Sequence, residues 1–318
     1  MKPIYISKTN LPSLTEYNKF LKRIWKSNWV TNDGQLVQEL ERKLREYWGV
    51  KHVICVANGT LAIEIALKAL DIKKEIYLSP LSFVATASAP LWLGIKPRFI
   101  DLDEEYKSPA LVTHVYGALN PTKARPVIYD ASHVFPIKEA FSLGGISIVS
   151  FHATKLFHTI EGGAIVTNND GLAEKARWLR NFGFKTQYSF YGVGINAKMN
   201  ELEAAMGLCL LPKVDKVFKK YTGLIKRYDD ALGVRTIGKT YYPFLYETEK
   251  ALEKAKRLFE ENQVYPRRYF YPPLNKVFGG RRCPQAEDFS RRVLCLPLFY
   301  DLTNKEQDRI IKIAQKTL

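Results

Sequence analysis

Lys155 is the residue of this sequence best placed for covalent chemistry. It lies in ISIVSFHATKLFHTIEGGAIVT (residues 146–167), between two short runs, 146–151 and 164–167, whose β-branched and apolar residues mark buried strands around a Gly162-Gly163 turn. A lysine on a short loop between buried strands is partly desolvated, which lowers its pKa and frees a neutral amine for Schiff-base chemistry. The same placement fits a solvated loop lysine. What surrounds it must decide.

Four other stretches carry groups that could serve such an amine. Residues 53–56 read as a strand, Ala57-Asn-Gly-Thr60 as a turn and residues 61–70 as a helix. A strand, a glycine turn and a helix N-terminus form an anion site, because unpaired N–H groups and the helix dipole point at one spot. An ordinary strand-to-helix turn fits that spacing equally. Phe83, in the turn 80–86, reads most simply as core packing, and Asp130, after the strand-like run 127–129, as a turn or helix cap. The block VYPRRYFYPPL (residues 264–274) is dense in guanidinium and aromatic groups. These suit a nucleotide-diphosphate sugar, with Arg268 and Tyr271 as candidate contacts, and they equally suit a packed proline-rich interdomain segment.

The elements that must position these residues can be read in order. Ser13-Leu-Thr-Glu16 is a capping box opening a helix to about Lys26, residues 27–34 form a loop, and 35–47 place Leu36, Leu40 and Leu44 on one stripe closed by Gly49. Residues 75–79 read as a strand, and 80–86 lead into a helix ending at Gly94. Runs at 97–102, 111–116 and 127–129 are further short strands, joined by connections at 103–110 and 120–125 that are brief for crossovers between parallel strands. A reduced sheet edge or helical layer follows. Residues 170–184 form an amphipathic helix with Asp170 as its cap, 188–198 a loop, and Asn200-Glu-Leu-Glu203 a second capping box opening a helix over 201–211. A charged helix over 213–230 then leads to a strand at 241–246, a helix at 249–261 and a strand-like run at 293–298.

With 318 residues the chain exceeds the usual single compact domain, so a large domain and a smaller one are expected. Hydrophobic residues at 46% and charged ones at 25% are ordinary for a soluble protein, and the N-terminus shows no secretory pattern, which makes the cytoplasm the expected location. No segment is apolar over a length that spans a bilayer, so no membrane role is expected. Cys55, Cys209, Cys283 and Cys295 lack metal or redox spacing and read as reduced core thiols; no metal is expected. The net charge of +16 is compatible with nucleic acid, but acidic residues interleave with the basic ones, as on solvated helix faces. A basic surface also favours a diphosphate-bearing substrate.

Four motifs in order, ANGT, DASH, SFHATK followed by EGGAI, and GINAKMNELEAAMG, resemble those of the DegT/DnrJ/EryC1/StrS sugar aminotransferases, which use pyridoxal phosphate. The resemblance covers nearly the whole chain. It implies that Lys155 carries the cofactor as a Schiff base, with Ser150, Gly59 and Thr60 at the cofactor phosphate. It also implies Phe83 as a platform under the ring, Asp130 against the pyridine nitrogen and His133 near the phenolic oxygen. Asn196 matches the residue that reaches the phosphate in the other subunit's site, and Trp29 and Thr31 match a loop bordering the substrate. His152 and His158 have no such anchor; His158 stands where close relatives often have Asn, and Gly144-Gly145 stands where the family has Gly-Asp.

The resemblance further implies a fold-type-I α/β arrangement. A large domain with a mixed, mostly parallel sheet would span residues 1–220, a smaller C-terminal α/β domain 221–318, and a homodimer would share its active sites. The implied reaction moves an amino group from an amino acid, L-glutamate by analogy, to a nucleotide-linked 4-keto-6-deoxy sugar. At the 264–274 block the resemblance points to the members that aminate dTDP-4-keto-6-deoxyglucose. Amination of a 3-keto sugar is the competing enzyme reading, and nucleic-acid binding the competing reading from another class. The 3-dehydratase branch has histidine in place of the lysine, so Lys155 argues against it.

Overall fold

The computed structural model describes residues 2–317. Elements run in chain order as β1 (Ile4–Tyr5), α1 (Leu14–Ser27), α2 (Gln35–Trp48), β2 (His52–Val56), α3 (Gly59–Ala69), β3 (Glu75–Leu78), α4 (Ala85–Trp92), β4 (Lys96–Phe99), β5 (Ala110–Thr113) and β6 (Val127–Asp130). There follow β7 (Ile146–Ser150), β8 (Gly163–Thr167), α5 (Asp170–Arg180), β9 (Phe184–Thr186), β10 (Ser189–Phe190), α6 (Glu201–Leu210), α7 (Val214–Leu232), β11 (Tyr242–Leu245) and α8 (Glu249–Glu261). The chain ends with β12 (Val264–Tyr265), α9 (Leu274–Val277), α10 (Pro284–Arg292), β13 (Val293–Leu296) and α11 (Asn304–Gln315).

Both expected capping boxes form: Ser13 with Glu16 opens α1, and Asn200 with Glu203 opens α6. One expected cap is corrected. Asn169, not Asp170, caps α5, its side chain accepting from the Leu172 N–H, and Asp170 is the first helical residue. There its carboxylate meets His52 at 2.7 Å and favours the positive end of the helix dipole.

The central sheet has seven strands in the order β2-β8-β7-β6-β5-β3-β4. β8 runs antiparallel to both neighbours and the other pairs are parallel, which is the mixed, mostly parallel arrangement expected. Alternate side chains feed two cores. Val53, Cys55, Val149, Ala164 and Val166 face α1, α2 and α6, while Ile54, Val56, Ile148 and Ile165 face α3 and α5. The first helical layer stops short. Beyond β7 the same face is covered by Tyr106, Ala124 and Leu143 from connections that hold no α-helix, packed on Ala110, Val112, Val127 and Tyr129. The short connections at 103–110 and 120–125 are the cause, and an open cavity of about 720 Å³ adjoins them, lined by Tyr106, Thr113, Tyr116 and Lys123 among others.

The C-terminal part has its own core of α7, α8 and α11 side chains on β11 and β13. Several contacts tie it to the rest. β1 pairs in parallel with β12, carrying Ile4 into the C-terminal core. In the other direction, Leu274, Cys283 and Ala286 from α9 and α10 pack on the large sheet, and Asp101 caps α10 by accepting from the Gln285 and Ala286 N–H groups at 2.9 and 2.8 Å. All four cysteines are buried and free. Among the described residues no helix is long and apolar enough to cross a membrane, and no group of three His, Cys, Asp or Glu side chains is placed to hold a metal ion.

Candidate active site

Because β5, β6 and β7 are parallel, their C-terminal ends lie along one edge of the sheet, where α/β folds place ligands. Thr113, Asp130 and Ser150 are the last residues of these strands. The first turn of α3 meets them. The Asn58 side chain caps that helix by accepting from Leu61 N–H at 2.9 Å, which leaves the Gly59 and Thr60 N–H groups without partners inside the helix. A Cβ on Gly59 would stand 2.9 Å from Ser150 Cβ, so only glycine lets the helix end come this close to β7. A Cβ on Gly163 would likewise meet the Asn58 backbone at 2.8 Å. Free N–H groups and a hydroxyl thus converge on one cup, with the chemistry a phosphate needs.

Replacing Gly59 with Ala forces α3 away from Ser150, an overpacking cost of about 1–3 kcal/mol that we expect to fall on the cup. Titration of pyridoxal phosphate into the apo variant is expected to show roughly ten- to hundredfold weaker binding. Unchanged affinity would remove the cup from the cofactor site.

Asp130 is buried, and among the described residues no arginine, lysine or histidine forms an ion pair with it. Its Oδ1 accepts from the Ser132 N–H at 3.1 Å, and the Thr86 hydroxyl reaches Oδ2 only at 3.5 Å. Thr86 in turn belongs to a hydroxyl chain, Ser82 to Thr86 at 2.7 Å and Ser82 to Thr113 at 2.9 Å, which fixes the turn before α4. Phe83 sits in that turn with 51% of its surface exposed, so its ring lies outside the core and presents a free apolar face. A buried carboxylate with no cation at ion-pair distance is costly unless a positive group arrives. A protonated pyridine nitrogen is such a group, so these residues fit pyridoxal phosphate at both of its ends.

Lys155 lies in the connection from β7 to β8. The connection is folded on itself: Lys155 N–H donates to His152 carbonyl at 2.9 Å, Thr159 N–H to Phe151 carbonyl at 2.9 Å, and Phe157 stacks on Phe135 at 4.2 Å. The amine faces the C-terminal part, 3.4 Å from the Tyr241 hydroxyl, in a space also lined by Ser132, His133 and Tyr269. Burial lowers its pKa, opposed first by the charge of Asp130 and then by Tyr269. His133 is buried; its Nδ1 accepts from Tyr116 N–H at 3.1 Å, which assigns the proton of the neutral ring to Nε2. Burial, and then the Lys155 charge, hold its pKa well below the ordinary 6.5.

The structure therefore brings together Gly59, Thr60, Ser150, Asp130, His133 and Lys155, with Phe83 beside them. The remaining expected residues lie elsewhere within the single chain. Asn196 is exposed on the loop before α6, its side chain accepting from Lys198 at 2.6 Å. Trp29 and Thr31 lie on the loop between α1 and α2, Trp29 54% exposed. Glu201 joins that loop to α2: its N–H donates to Val30 carbonyl at 3.0 Å, and its carboxylate accepts from the Leu36 and Val37 N–H groups of α2 at 2.9 Å. Arg268 is turned to α8, bonded to Glu249 at 2.8 Å and Glu253 at 2.6 Å, and its guanidinium covers the Tyr271 ring at 3.5 Å. Sequence reasoning missed Tyr241, Tyr269, Ser132 and Thr86. The last two follow from their neighbours' motifs, whereas Tyr241 carries no local signal.

Comparison with known proteins places the whole chain. A profile of the DegT/DnrJ/EryC1/StrS aminotransferase family matches residues 14–128 and 117–315. A dTDP-4-amino-4,6-dideoxy-D-glucose transaminase of Shigella dysenteriae is 33% identical over 363 residues, covering 99% of both chains, and one of Escherichia coli is 30% identical over 98% of both. An alignment of 363 positions exceeds the 318 residues of this chain, so parts of the relative have no counterpart here. The crystal structure of DesI, determined in the presence of its TDP-sugar product, superposes with a TM-score of 0.90 at 24% identity over 99% of this chain and 93% of that one. A putative PLP-dependent aminotransferase from Bacillus cereus superposes as well, with a TM-score of 0.87 at 23% identity over 99% of this chain and 100% of that one. By profile, by full-length relatives and by fold, this chain belongs to the pyridoxal-phosphate-dependent DegT/DnrJ/EryC1/StrS aminotransferase family.

Proposed function

We propose that this aminotransferase moves an amino group from L-glutamate to the 4-keto carbon of dTDP-4-keto-6-deoxyglucose. The observation that carries the aminotransferase chemistry is the buried Asp130 carboxylate, without a paired cation, across the strand ends from the Gly59–Ser150 cup. The names of the full-length relatives support the sugar.

Bound pyridoxal phosphate supplies an electron sink for the pair left when the donor's Cα proton departs. In this reading Gly59, Thr60 and Ser150 would hold its phosphate, Phe83 would support its ring, Asp130 would keep a proton on the ring nitrogen, and His133 would serve the phenolic oxygen. Lys155 is the nucleophile. Its lowered pKa enlarges the neutral fraction of the amine, and this amine would take the proton from the donor Cα. In the second half-reaction it delivers a proton to the sugar's amino-bearing carbon. Enclosure by Tyr241, Tyr269 and His133 keeps water from competing for that proton.

The homodimer is part of the proposal, with Asn196 reaching the partner's phosphate. In its support, Phe182, Phe184, Tyr188, Phe190 and Tyr191 stand exposed on the hairpin leading to that loop, and Trp92 is exposed after Phe83. We assign residues 1–220 to the large domain and 221–318 to the small one; the change of core falls inside α7 just before that boundary, with Val214 in the first core and Val217, Tyr221 and Leu224 in the C-terminal one. On the substrate side we retain Trp29, Thr31 and Tyr271. The cytoplasm is the proposed location, supported by four cysteines without a disulfide.

The test is direct. Purified protein given pyridoxal phosphate, L-glutamate and either dTDP-4-keto-6-deoxyglucose or its 3-keto isomer is expected to release 2-oxoglutarate and a 4-amino sugar with the first alone, identified by NMR. A 3-amino product, or none from the 4-keto sugar, overturns the substrate assignment.

A further inference from the structure

The block at 264–274 holds two adjacent arginines, and the pleat sends them opposite ways. Arg267 exchanges backbone hydrogen bonds with Cys295, N–H to carbonyl at 3.1 Å and back at 2.8 Å, while Pro243 of β11 is paired with Cys295 from the other side. Residues opposite one another across strands share a face. That face is the one on which Cys295 packs with Tyr116 and Phe270, with Tyr241 and Tyr269 against them. Arg268, one residue on, points to the other face and is consumed by Glu249 and Glu253 of α8. Tyr269, two residues after Arg267, returns to the first face and lines the space around the Lys155 amine.

Arg267 therefore stands on the Lys155 side. Its guanidinium lies 4.9 Å from the Tyr269 ring centroid, Tyr269 meets Tyr241 edge-on at 5.5 Å, and the Tyr241 hydroxyl is 3.4 Å from Lys155 Nζ. Among the described residues Arg267 forms no ion pair, and it is exposed. The stacking orients the planar fork while leaving its N–H donors free.

We propose that Arg267, and not Arg268, is the guanidinium that receives an anionic oxygen pair of the substrates, the donor's carboxylate or the sugar nucleotide's diphosphate. Arg268 fastens α8 to this segment. The inference rests on the aminotransferase reading of the site and adds to it the residue that reads substrate charge. A carboxylate and a phosphoryl group offer the same two-oxygen edge to a guanidinium, and the two half-reactions separate them.

The test uses the holoenzyme and its Arg267→Gln, Arg267→Lys and Arg268→Gln variants. One arm follows loss of the bound cofactor's visible band on addition of L-glutamate, giving an apparent dissociation constant. The other measures thymidine diphosphate binding by calorimetry. Arg267→Gln is expected to weaken at least one arm about ten- to a hundredfold, with the resting visible band and the Tm retained, and Arg267→Lys to recover part of the loss. Weakening by glutamate alone assigns the donor carboxylate, and by thymidine diphosphate alone the sugar nucleotide. Arg268→Gln is expected to lower the Tm and leave both constants near wild type. Unchanged constants in Arg267→Gln, or loss of its resting band, overturn the proposal. If wild-type protein fails to respond to glutamate, the donor reading fails while the diphosphate arm still decides the role of Arg267.

Discussion

Lys155→Ala protein purified with pyridoxal phosphate is expected to lack the visible band of a lysine-bound cofactor and to turn over at least about 10²–10⁴-fold more slowly. Two roles are lost together, the covalent anchor and the base that moves the donor's proton. Added alkylamines restore neither geometry nor retention, because the amine is delivered by a connection folded on its own backbone and packed through Phe157. Lys155→Arg separates charge from nucleophilicity. It keeps a cation near Asp130 yet offers no neutral amine, so it is expected to bind the cofactor without the band and without turnover. Retention of the band with full turnover in Lys155→Ala would refute the assignment.

Much of this site was legible because its parts are local. The Asn200 and Ser13 capping boxes, the helix Glu249–Glu261 and the strand-turn-helix at 53–60 are set by residues a few positions apart, and each forms where expected. The family motifs then added order to signals that were individually weak. Asp130 illustrates this: a lone Asp after a strand has a commonplace reading, and its burial without an ion pair, near Lys155, is what supports the proposed role against a cationic ring.

What escaped the sequence was set by distant partners. Nothing in residues 96–110 announces that Asp101 caps a helix 185 positions away, or that α9 and α10 fold back on the large sheet. Tyr241 adjoins Tyr242, and the pair gives no local reason why the first faces Lys155 and the second the C-terminal core. The Arg267-Arg268 pair poses the same problem. In a segment rich in proline and aromatics the alternation has no hydrophobic pattern to set its phase, so the sequence does not separate Arg267 from Arg268, and it is the pairing of Arg267 with Cys295 that sends the two to different faces.

Asp130→Asn is the second large effect, and it discriminates between binding and chemistry. Asn is nearly isosteric and its side-chain oxygen can still accept from the Ser132 N–H, so strand β6 keeps its end. The negative charge is gone. A neutral amide cannot hold a proton on the ring nitrogen, and the electron sink weakens when the donor proton leaves. Turnover is expected to fall roughly 10²–10³-fold, by analogy with loss of one preorganised electrostatic contact. The visible band should persist, since Lys155 remains. A second readout has an opposite sign from a simple loss of function. The Asp130 charge is the main influence opposing the burial that lowers the Lys155 pKa, so removing it moves that pKa further down and enlarges the neutral fraction of the amine. In the apo variant, the pH profile of Lys155 modification by a small amine-reactive reagent is expected to shift to lower pH than in wild type. A variant as fast as wild type, or a profile shifted upward, would take Asp130 out of the site. Slow turnover, a retained band and a downward shift together require a carboxylate that acts on both the ring and the lysine.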